Sequence, residues 1–214
     1  MNPTPLQPAG TRRQQQKAET RALILDAALT LFEEYGWEST TMRKVAAGAG
    51  VGLGTIFTHF PDKGALLIAA LLEDLAEIDR EILDSFPADA PLKGQIMHTA
   101  AAGFGYWCRR PALSAVLLRE MYFITGAAAE KRRDETGRFL EFVTQVLDDA
   151  RGRGELGDST DTCQTAETLY TYYVGSLVRA AGNDRFDADA LLESFEVFFD
   201  QLLVGIGPET RLGG

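Results

Sequence analysis

The stretch "AAGAGVGLGTIFTHF", residues 46–60, decides the fold of this chain. A helix-turn-helix needs a small residue where its helices cross, a residue that tolerates positive φ in the turn, and apolar residues that face inward. Ala46 meets the first need, and Gly50, in the turn, meets the second. The inward positions are occupied by Val45, Val51, Ile56 and Phe60. The spacing therefore predicts a helix-turn-helix.

The second helix of this segment is predicted to present a small, uncharged face. Ile56 and Phe60 share one side of the helix, so the residues between and before them turn outward. Those outward residues are Gly54, Thr55, Phe57 and Thr58. Such a face can approach a major groove closely, and Thr55 and His59 can donate to phosphate oxygens. The alternative is tight helix packing in a protein that never contacts DNA.

Helical periodicity extends on both sides. Apolar residues recur at steps of three and four over 22–35, Gly36 follows where a helix ends, and Thr41 offers an N-cap for "MRKVAAGAG". Asp62 is placed to cap a long helix. Further helices are predicted at 92–109, 111–125, 127–151, 160–181 and 188–206. Because no convincing strand appears, the predicted fold class is all-α.

Composition excludes several classes of protein. The 214 residues are 45% apolar and 24% charged, which is typical of a folded soluble chain. No apolar run is long enough for a membrane helix, and the N-terminus lacks the apolar segment of a secretory signal, so we expect a cytoplasmic protein with no membrane partner. Cys108 and Cys163 have no neighbours at metal-ligand spacing, and no metal site is predicted.

The charge is unevenly distributed. A net charge of −10 argues at first against a nucleic-acid partner. Residues 1–63, however, carry seven basic and six acidic side chains, whereas the rest of the chain carries 14 basic and 25 acidic ones. The helix-turn-helix half is therefore not acidic.

Residues 22–68 resemble the N-terminal domain of the TetR family of bacterial transcriptional repressors. The similarity rests on "AALTLFEEYG", "TTMRKVA" and "AGVGLGTIFTHF" in order, with a lysine soon after. The resemblance implies an N-terminal three-helix DNA-binding domain and a larger C-terminal helical domain for ligand binding and dimerisation. We accordingly expect a flexible basic arm at 1–16, the DNA-binding domain at 17–63, the helical domain at 64–208 and a flexible tail at 209–214.

The resemblance also assigns roles to individual residues. Thr41 corresponds to a residue that caps the second helix and contacts a phosphate, Arg43 to one that reaches a base, and Lys63 to a phosphate ligand. The expected DNA-binding residues are Thr41, Arg43, Lys44, Gly52, Leu53, Thr55, Phe57, Thr58, His59 and Lys63.

Two of these positions depart from the family pattern. The family commonly has serine at the position of Gly52 and tyrosine at that of Phe57, and both hydroxyl groups are missing here. Losing two neutral hydrogen bonds costs on the order of 1 to 3 kcal/mol of DNA affinity. Lys44 replaces a residue that is often acidic in the family, and its charge is expected to offset part of that loss.

The last two predicted helices carry apolar stripes wider than one core contact demands. In the resembling family the corresponding helices form a four-helix bundle with a second copy, which implies a two-fold homodimer on a palindromic operator. The expected interface residues are Tyr170, Val174, Leu177, Val178, Phe195, Phe198, Phe199 and Leu202. The alternative is that both helices are buried within one subunit.

Aromatic residues concentrate in the middle helices and on the penultimate one. Aromatic side chains between helices can surround a small apolar or aromatic ligand, with a histidine or tyrosine satisfying its polar group. The expected ligand-binding residues are His98, Phe104, Trp107, Met121, Tyr122, Tyr170 and Tyr173. The alternative is an ordinary packed core.

Other functions find less support in the sequence. The only two histidines, His59 and His98, are separated by a predicted helix, and no nucleophile or phosphate-binding motif is present, so neither an enzyme nor a cofactor is predicted. The function predicted is a ligand-responsive repressor. A helical protein-binding adaptor, or an activator with weakened DNA binding, is the alternative, and salt-dependent DNA binding separates the adaptor from the regulator.

Overall fold

The computed structural model describes the backbone of residues 9–123, 127–183 and 185–206, and their side chains except those of 9–11, 72–77, 79, 122, 123, 127, 128, 131 and 206. Over these ranges the chain is helical and contains no strand. The helices are α1 (Ala9–Ser39), α2 (Met42–Gly48), α3 (Leu53–His59), α4 (Lys63–Asp84), α5 (Leu92–Arg109), α6 (Pro111–Phe123), α7 (Ala127–Gly152), α8 (Thr162–Gly182) and α9 (Ala188–Ile206). The all-α prediction is confirmed.

Helix α1 begins earlier than its apolar pattern indicates. Residues 9–16, expected as part of a flexible arm, form its first turns. The reason is composition, because the segment "RRQQQKAE" consists of good helix formers with no break. At the other end Gly36 interrupts the helix with φ 77° and ψ 167°. Thr40 then shares its hydroxyl hydrogen between the carbonyls of Leu31 and Gly36, at 2.9 Å each.

The turn between α2 and α3 has the geometry that the sequence predicts. Gly50 adopts φ 66°, in the left-handed region. The amide of Val51 donates to the carbonyl of Ala46 at 3.0 Å, and that of Gly50 to Ala47 at 3.2 Å. This pair of bonds is a Schellman motif, which satisfies the last carbonyls of α2 and redirects the chain into α3. An added Cβ at Gly48 would lie 3.4 Å from the side chain of Leu31, so α2 crosses α1 closely there.

The chain divides into two compact units after Glu73. The N-terminal unit, residues 1–73, contains α1–α3 and the start of α4. Its core is formed by Ile24, Leu25, Ala28, Phe32, Val45, Ala46, Ile56, Phe60, Leu66, Leu67, Ile68, Ala70 and Leu71. The boundary expected at 63/64 lies at the first residue of α4, whereas the observed one lies within that helix.

The C-terminal unit, residues 74–214, is built from helices that pack together in pairs. Helix α5 packs mainly against α9, and α7 and α6 pack against α8. The amide of Leu92, at the start of α5, donates to the carboxylate of Glu155 at 2.7 Å. Burial raises the pKa of Glu155, but the Leu92 amide and the guanidinium of Arg153 outweigh it and lower the pKa overall. None of the helices, over the residues described, is long and apolar enough to span a bilayer.

Candidate nucleic-acid interface

Helix α3 presents the outward face that the sequence predicts. Ile56 is fully buried, whereas Gly54, Phe57 and Thr58 are exposed. A Cβ added at Gly54 would meet no atom within 4 Å, so the space in front of this residue is open. The hydroxyl of Thr58 donates to the carbonyl of Gly54 at 3.0 Å, which leaves its oxygen free to accept. Leu53, Thr55 and His59 are half-buried at the edges of this face.

Phe57 is the largest side chain on the exposed face. Its ring is 50% exposed, and within the described residues it makes no contact with another aromatic ring. Burying a phenylalanine stabilises a fold, so an exposed one on a two-turn helix contributes little to the core. An apolar ring at this place can contact the methyl group of thymine in a major groove.

His59 ends α3 as a neutral side chain. Partial burial lowers its pKa, and the positive charges of Lys17 and Arg21 lower it further. The imidazole is therefore uncharged near pH 7 and offers one donor and one acceptor. The guanidinium of Arg21 lies 5.4 Å from the centre of the adjacent Phe60 ring.

On α2, the three expected DNA contacts have different surroundings. The hydroxyl of Thr41 caps the helix by accepting from the amide of Lys44 at 3.3 Å. The side chain of Arg43 is exposed, and the described residues include no hydrogen-bond or ion-pair partner for it. The ammonium of Lys44 donates to the carbonyl of Ser39 at 2.8 Å and lies 5.2 Å from the ring centre of Tyr35. Arg43 is thus the more available cation.

Lys63 is held by the protein itself. Its Nζ donates to the carbonyls of Trp37 at 2.6 Å and Thr40 at 3.1 Å, and lies 4.2 Å from the centre of the Trp37 ring. Two of its three N–H groups are therefore used to tie the α1–α2 connection to the start of α4. Sequence reasoning missed Trp37, although a tryptophan directly after the glycine that ends a helix marked the place.

The unit that carries this face matches a known family. The family model for "Bacterial regulatory proteins, tetR family" matches residues 24–70, from within α1 to within α4. Residues 24–70 are therefore similar to the DNA-binding domain of TetR-family regulators. That match contains the whole helix-turn-helix and the Lys63 contacts described above.

Longer stretches of the chain are similar to named transcriptional regulators and to a solved regulator structure. The HTH-type transcriptional regulator UidR of Escherichia coli K12 is 28% identical over 169 residues, covering 77% of this chain and 83% of UidR. The HTH-type transcriptional repressor KstR of Rhodococcus jostii is 28% identical over 160 residues, covering 75% of this chain and 72% of KstR. The structure of Thermus thermophilus FadR, a TetR-family repressor in complex with lauroyl-CoA, has a TM-score of 0.70 at 23% identity and covers 91% of this chain and 99% of that chain.

In the C-terminal unit the expected ligand-binding residues fall into separate clusters. The ring of Phe104 is fully buried, with centroids 4.7 Å from Tyr173 and 5.8 Å from Phe195. Tyr170 lies instead against α7, where its ring is 6.0 Å from that of Phe139. His98 is beside the end of α4, with Nε2 3.1 Å from the hydroxyl of Ser85.

The remaining residues that were expected to bind a ligand are Trp107, Met121 and Tyr122. Trp107 is buried, and its carbonyl accepts from the hydroxyl of Ser114 at 2.7 Å. Met121 is half-buried, and Tyr122 lies outside the described side chains. Among the six whose side chains are described, the structure brings the rings of Phe104 and Tyr173 together and places Tyr170 and His98 beside other elements.

A cleft of about 560 Å³ lies between the end of α8 and the start of α9. Its lining residues are Ser176, Arg179, Ala180, Asn183, Arg185, Phe186, Asp187, Ala190, Leu191 and Ser194. None of the residues expected to bind a ligand is among them. Periodicity could not reveal this cleft because four of its ten lining residues come from the connection between the two helices.

Three of the residues expected at a dimer interface lie in the core of the chain. Leu177, Phe195 and Phe199 are buried within the chain, with at most 3% of each side chain exposed. They face inward because α8 and α9 pack against the rest of the C-terminal unit. Val178 is 43% exposed, and the others (Tyr170, Val174, Phe198 and Leu202) are half-buried. The rings of Tyr172 and Phe198 stack with centroids 3.8 Å apart.

Proposed function

We propose that this chain is a cytoplasmic, homodimeric repressor that binds a palindromic DNA operator through α3 and is released by a small ligand with a large apolar part. The observation that carries the proposal is the exposed, uncharged face of α3, on which Phe57 is 50% exposed. The family match and the regulator relatives support it.

The residues divide by role in this proposal. Leu53, Thr55, Phe57 and Thr58 enter the major groove. Arg43, the free cation of α2, contacts a base edge or a phosphate, while Thr41, Lys44, His59 and the backbone amide of Gly52 position the unit on phosphates. Lys63 positions these groups by holding the α1–α2 connection.

A palindromic operator requires two copies of α3 in one assembly. One exposed face of α8 carries small and uncharged residues, Thr171, Gly175, Val178 and Gly182, whereas Glu167 and Arg179 are the exposed charged residues of this helix. On α9 the exposed apolar residues are Val197, at 55%, and Val204, at 88%. Small side chains allow two helix pairs to approach closely, and exposed valines gain from burial. These faces, rather than the buried Leu177, Phe195 and Phe199, form the proposed interface.

The ligand proposal rests on similarity and on the apolar interior. The Thermus thermophilus FadR structure contains lauroyl-CoA, and the C-terminal unit here has an aromatic core around Phe104. A compound with a long apolar chain could insert there only by separating packed side chains. Release of DNA then follows from a higher affinity of the ligand for the conformation with wrongly spaced recognition helices.

Binding to the DNA that flanks the coding region tests the DNA proposal. Fluorescence anisotropy over a salt series should show saturable binding to one fragment, with affinity at least a thousandfold (about 4 kcal/mol) above that for random duplex. Arg43→Ala should weaken this binding by about 5- to 150-fold, equivalent to about 1 to 3 kcal/mol. Arg138→Ala, an exposed charge in the other unit, is the matched control. Equal affinity for specific and random DNA in every flanking fragment would count against autoregulation.

The dimer proposal has its own test. Val178→Arg should shift the mass measured by analytical ultracentrifugation from two chains towards one, because a charge would be buried at the two-fold contact. Leu83→Arg replaces a side chain that is 55% exposed on α4 and should leave the mass unchanged. A Val178→Arg protein that stays dimeric would refute the proposed interface.

A further inference from the structure

Three basic side chains in the first turns of α1 share one face of the helix. Arg13, Lys17 and Arg21 are spaced four residues apart, and at about 100° per residue they occupy roughly 80° of the helix circumference. The acidic side chains of α1 before the Gly36 interruption lie on the opposite side: Glu19, Asp26, Glu33 and Glu34. Arg12 also lies on that opposite side, so the clustered basic face consists of Arg13, Lys17 and Arg21.

The basic face continues the buried face of the same helix. Ile24, Ala28 and Phe32 fall in the same sector of α1 and are buried in the core of the N-terminal unit. Residues 12–19, in contrast, are all exposed. The first turns of α1 therefore extend the helix past the core and expose Arg13 and Lys17, whereas Arg21 is half-buried.

This basic face begins beside the end of the DNA-reading helix. The guanidinium of Arg21 lies 5.4 Å from the ring centre of Phe60, the residue after α3. The positive charges of Lys17 and Arg21 also reach His59, where they add to burial in lowering the pKa of the imidazole. From Arg13 to Arg21 the face is about 12 Å long at 1.5 Å per residue. A duplex presents about seven phosphates over that length.

We propose that Arg13, Lys17 and Arg21 form a helical phosphate-binding surface that extends the contact of α3 along the DNA backbone. The inference rests on the proposed DNA-binding function and goes beyond it, because these residues supply affinity without reading sequence. The spacing of like charges on one helix face is itself unfavourable, and phosphates relieve it.

Salt dependence of binding to a random-sequence duplex tests this surface. Arg13→Gln/Lys17→Gln removes two charges and continues the run of glutamines at 14–16, so the helix is preserved. Each lost phosphate contact lowers the slope of log K against log salt by about 0.9. The double variant should therefore lower the slope by about 1.8 per bound chain, or about 3.6 for two chains.

Arg12→Gln is the matched control. It removes the same charge from a neighbouring residue that lies about 100° away from Arg13 around the helix. Its slope of log K against log salt should differ from that of the parent chain by less than half the change expected for one phosphate contact. An unchanged slope in the double variant, or a fall of about 0.9 per bound chain for Arg12→Gln, would overturn the inference.

The use of random DNA separates this inference from the proposed function. If the chain binds DNA with sequence preference but the double variant leaves the slope of log K against log salt unchanged, the phosphate surface alone is refuted. Binding whose slope falls as expected but that prefers no sequence would refute the proposed repressor and keep the surface. Circular dichroism of each variant should match that of the parent chain, which shows that the helix is retained.

Discussion

Gly50 and Gly54 are four residues apart, and the same substitution should have opposite effects at the two positions. Gly50 has φ 66°, whereas Gly54 lies within α3 without a positive φ. An added Cβ would meet no atom within 4 Å at either position. Steric fit therefore does not distinguish them, and backbone conformation alone decides the sign.

The magnitudes follow from that difference. The left-handed conformation costs an L-residue about 1 to 2 kcal/mol, and the stiffer unfolded chain returns about 0.4 to 1 kcal/mol, so Gly50→Ala should destabilise by about 1 kcal/mol. Gly54→Ala should stabilise by about 0.5 to 1 kcal/mol, because alanine is the better helix former. For a unit of this size each kcal/mol moves the melting temperature by about 4 to 8 °C.

Tryptophan fluorescence can follow the N-terminal unit by itself. The chain has two tryptophans, and Trp107→Phe leaves Trp37, which lies in that unit, as the reporter. In this background the melting temperature of Gly54→Ala should exceed that of Gly50→Ala by about 6 to 16 °C. Asparagine tolerates the left-handed region, so Gly50→Asn should lose less stability than Gly50→Ala. Shifts of the two alanine variants in the same direction would refute the reasoning.

Other substitutions test the remaining contacts. Gly103→Ala should destabilise the C-terminal unit, because its Cβ would lie 2.5 Å from the hydroxyl oxygen of Tyr173. In a double-mutant cycle measured by thermal unfolding, Tyr173→Phe should restore part of the lost stability. Additive losses of stability in the two single variants would contradict the clash. Glu155 has a lowered pKa in the folded state, so its stabilisation is present above the ordinary carboxyl pKa and lost as pH falls through the folded value. The free energy of unfolding, measured by urea titration from about pH 6 to 3, should therefore fall less steeply with decreasing pH for Glu155→Gln than for the parent chain. The same pH dependence in both proteins would contradict this. Lys63→Met should cost about 1 to 3 kcal/mol in urea unfolding of the N-terminal unit and leave the salt slope of DNA binding unchanged, whereas a fall of about 0.9 without loss of stability would make Lys63 a phosphate ligand.

The helix-turn-helix could be predicted because its determinants are local. Gly50 must adopt positive φ, Ile56 must face inward four residues before Phe60, and both requirements can be read within one short segment. The early start of α1 is also a local property, and the prediction missed it because the prolines of the first nine residues suggested that the arm continued further.

Two kinds of feature could not be predicted from the sequence. One is a contact with backbone atoms far along the chain, and the other is whether an apolar stripe lies in the subunit core or at an interface. The partners of Lys63 are carbonyls of Trp37 and Thr40, and backbone atoms leave no trace in a residue pattern. Leu177 and Phe195 lie on apolar stripes that suit a subunit core as well as an interface, because both bury the same kind of surface. Only the packing of α5 against α9 and of α7 against α8 decides between the two.

Selection from a random duplex library tests the central claim most directly. The purified chain should enrich one palindromic sequence whose half-sites are about one helical turn or more apart, and Phe57→Ala should bind that sequence more weakly with an unchanged salt slope. Repeated selection that enriches no sequence, while the chain remains folded, would contradict the account of α3 as a sequence-reading helix.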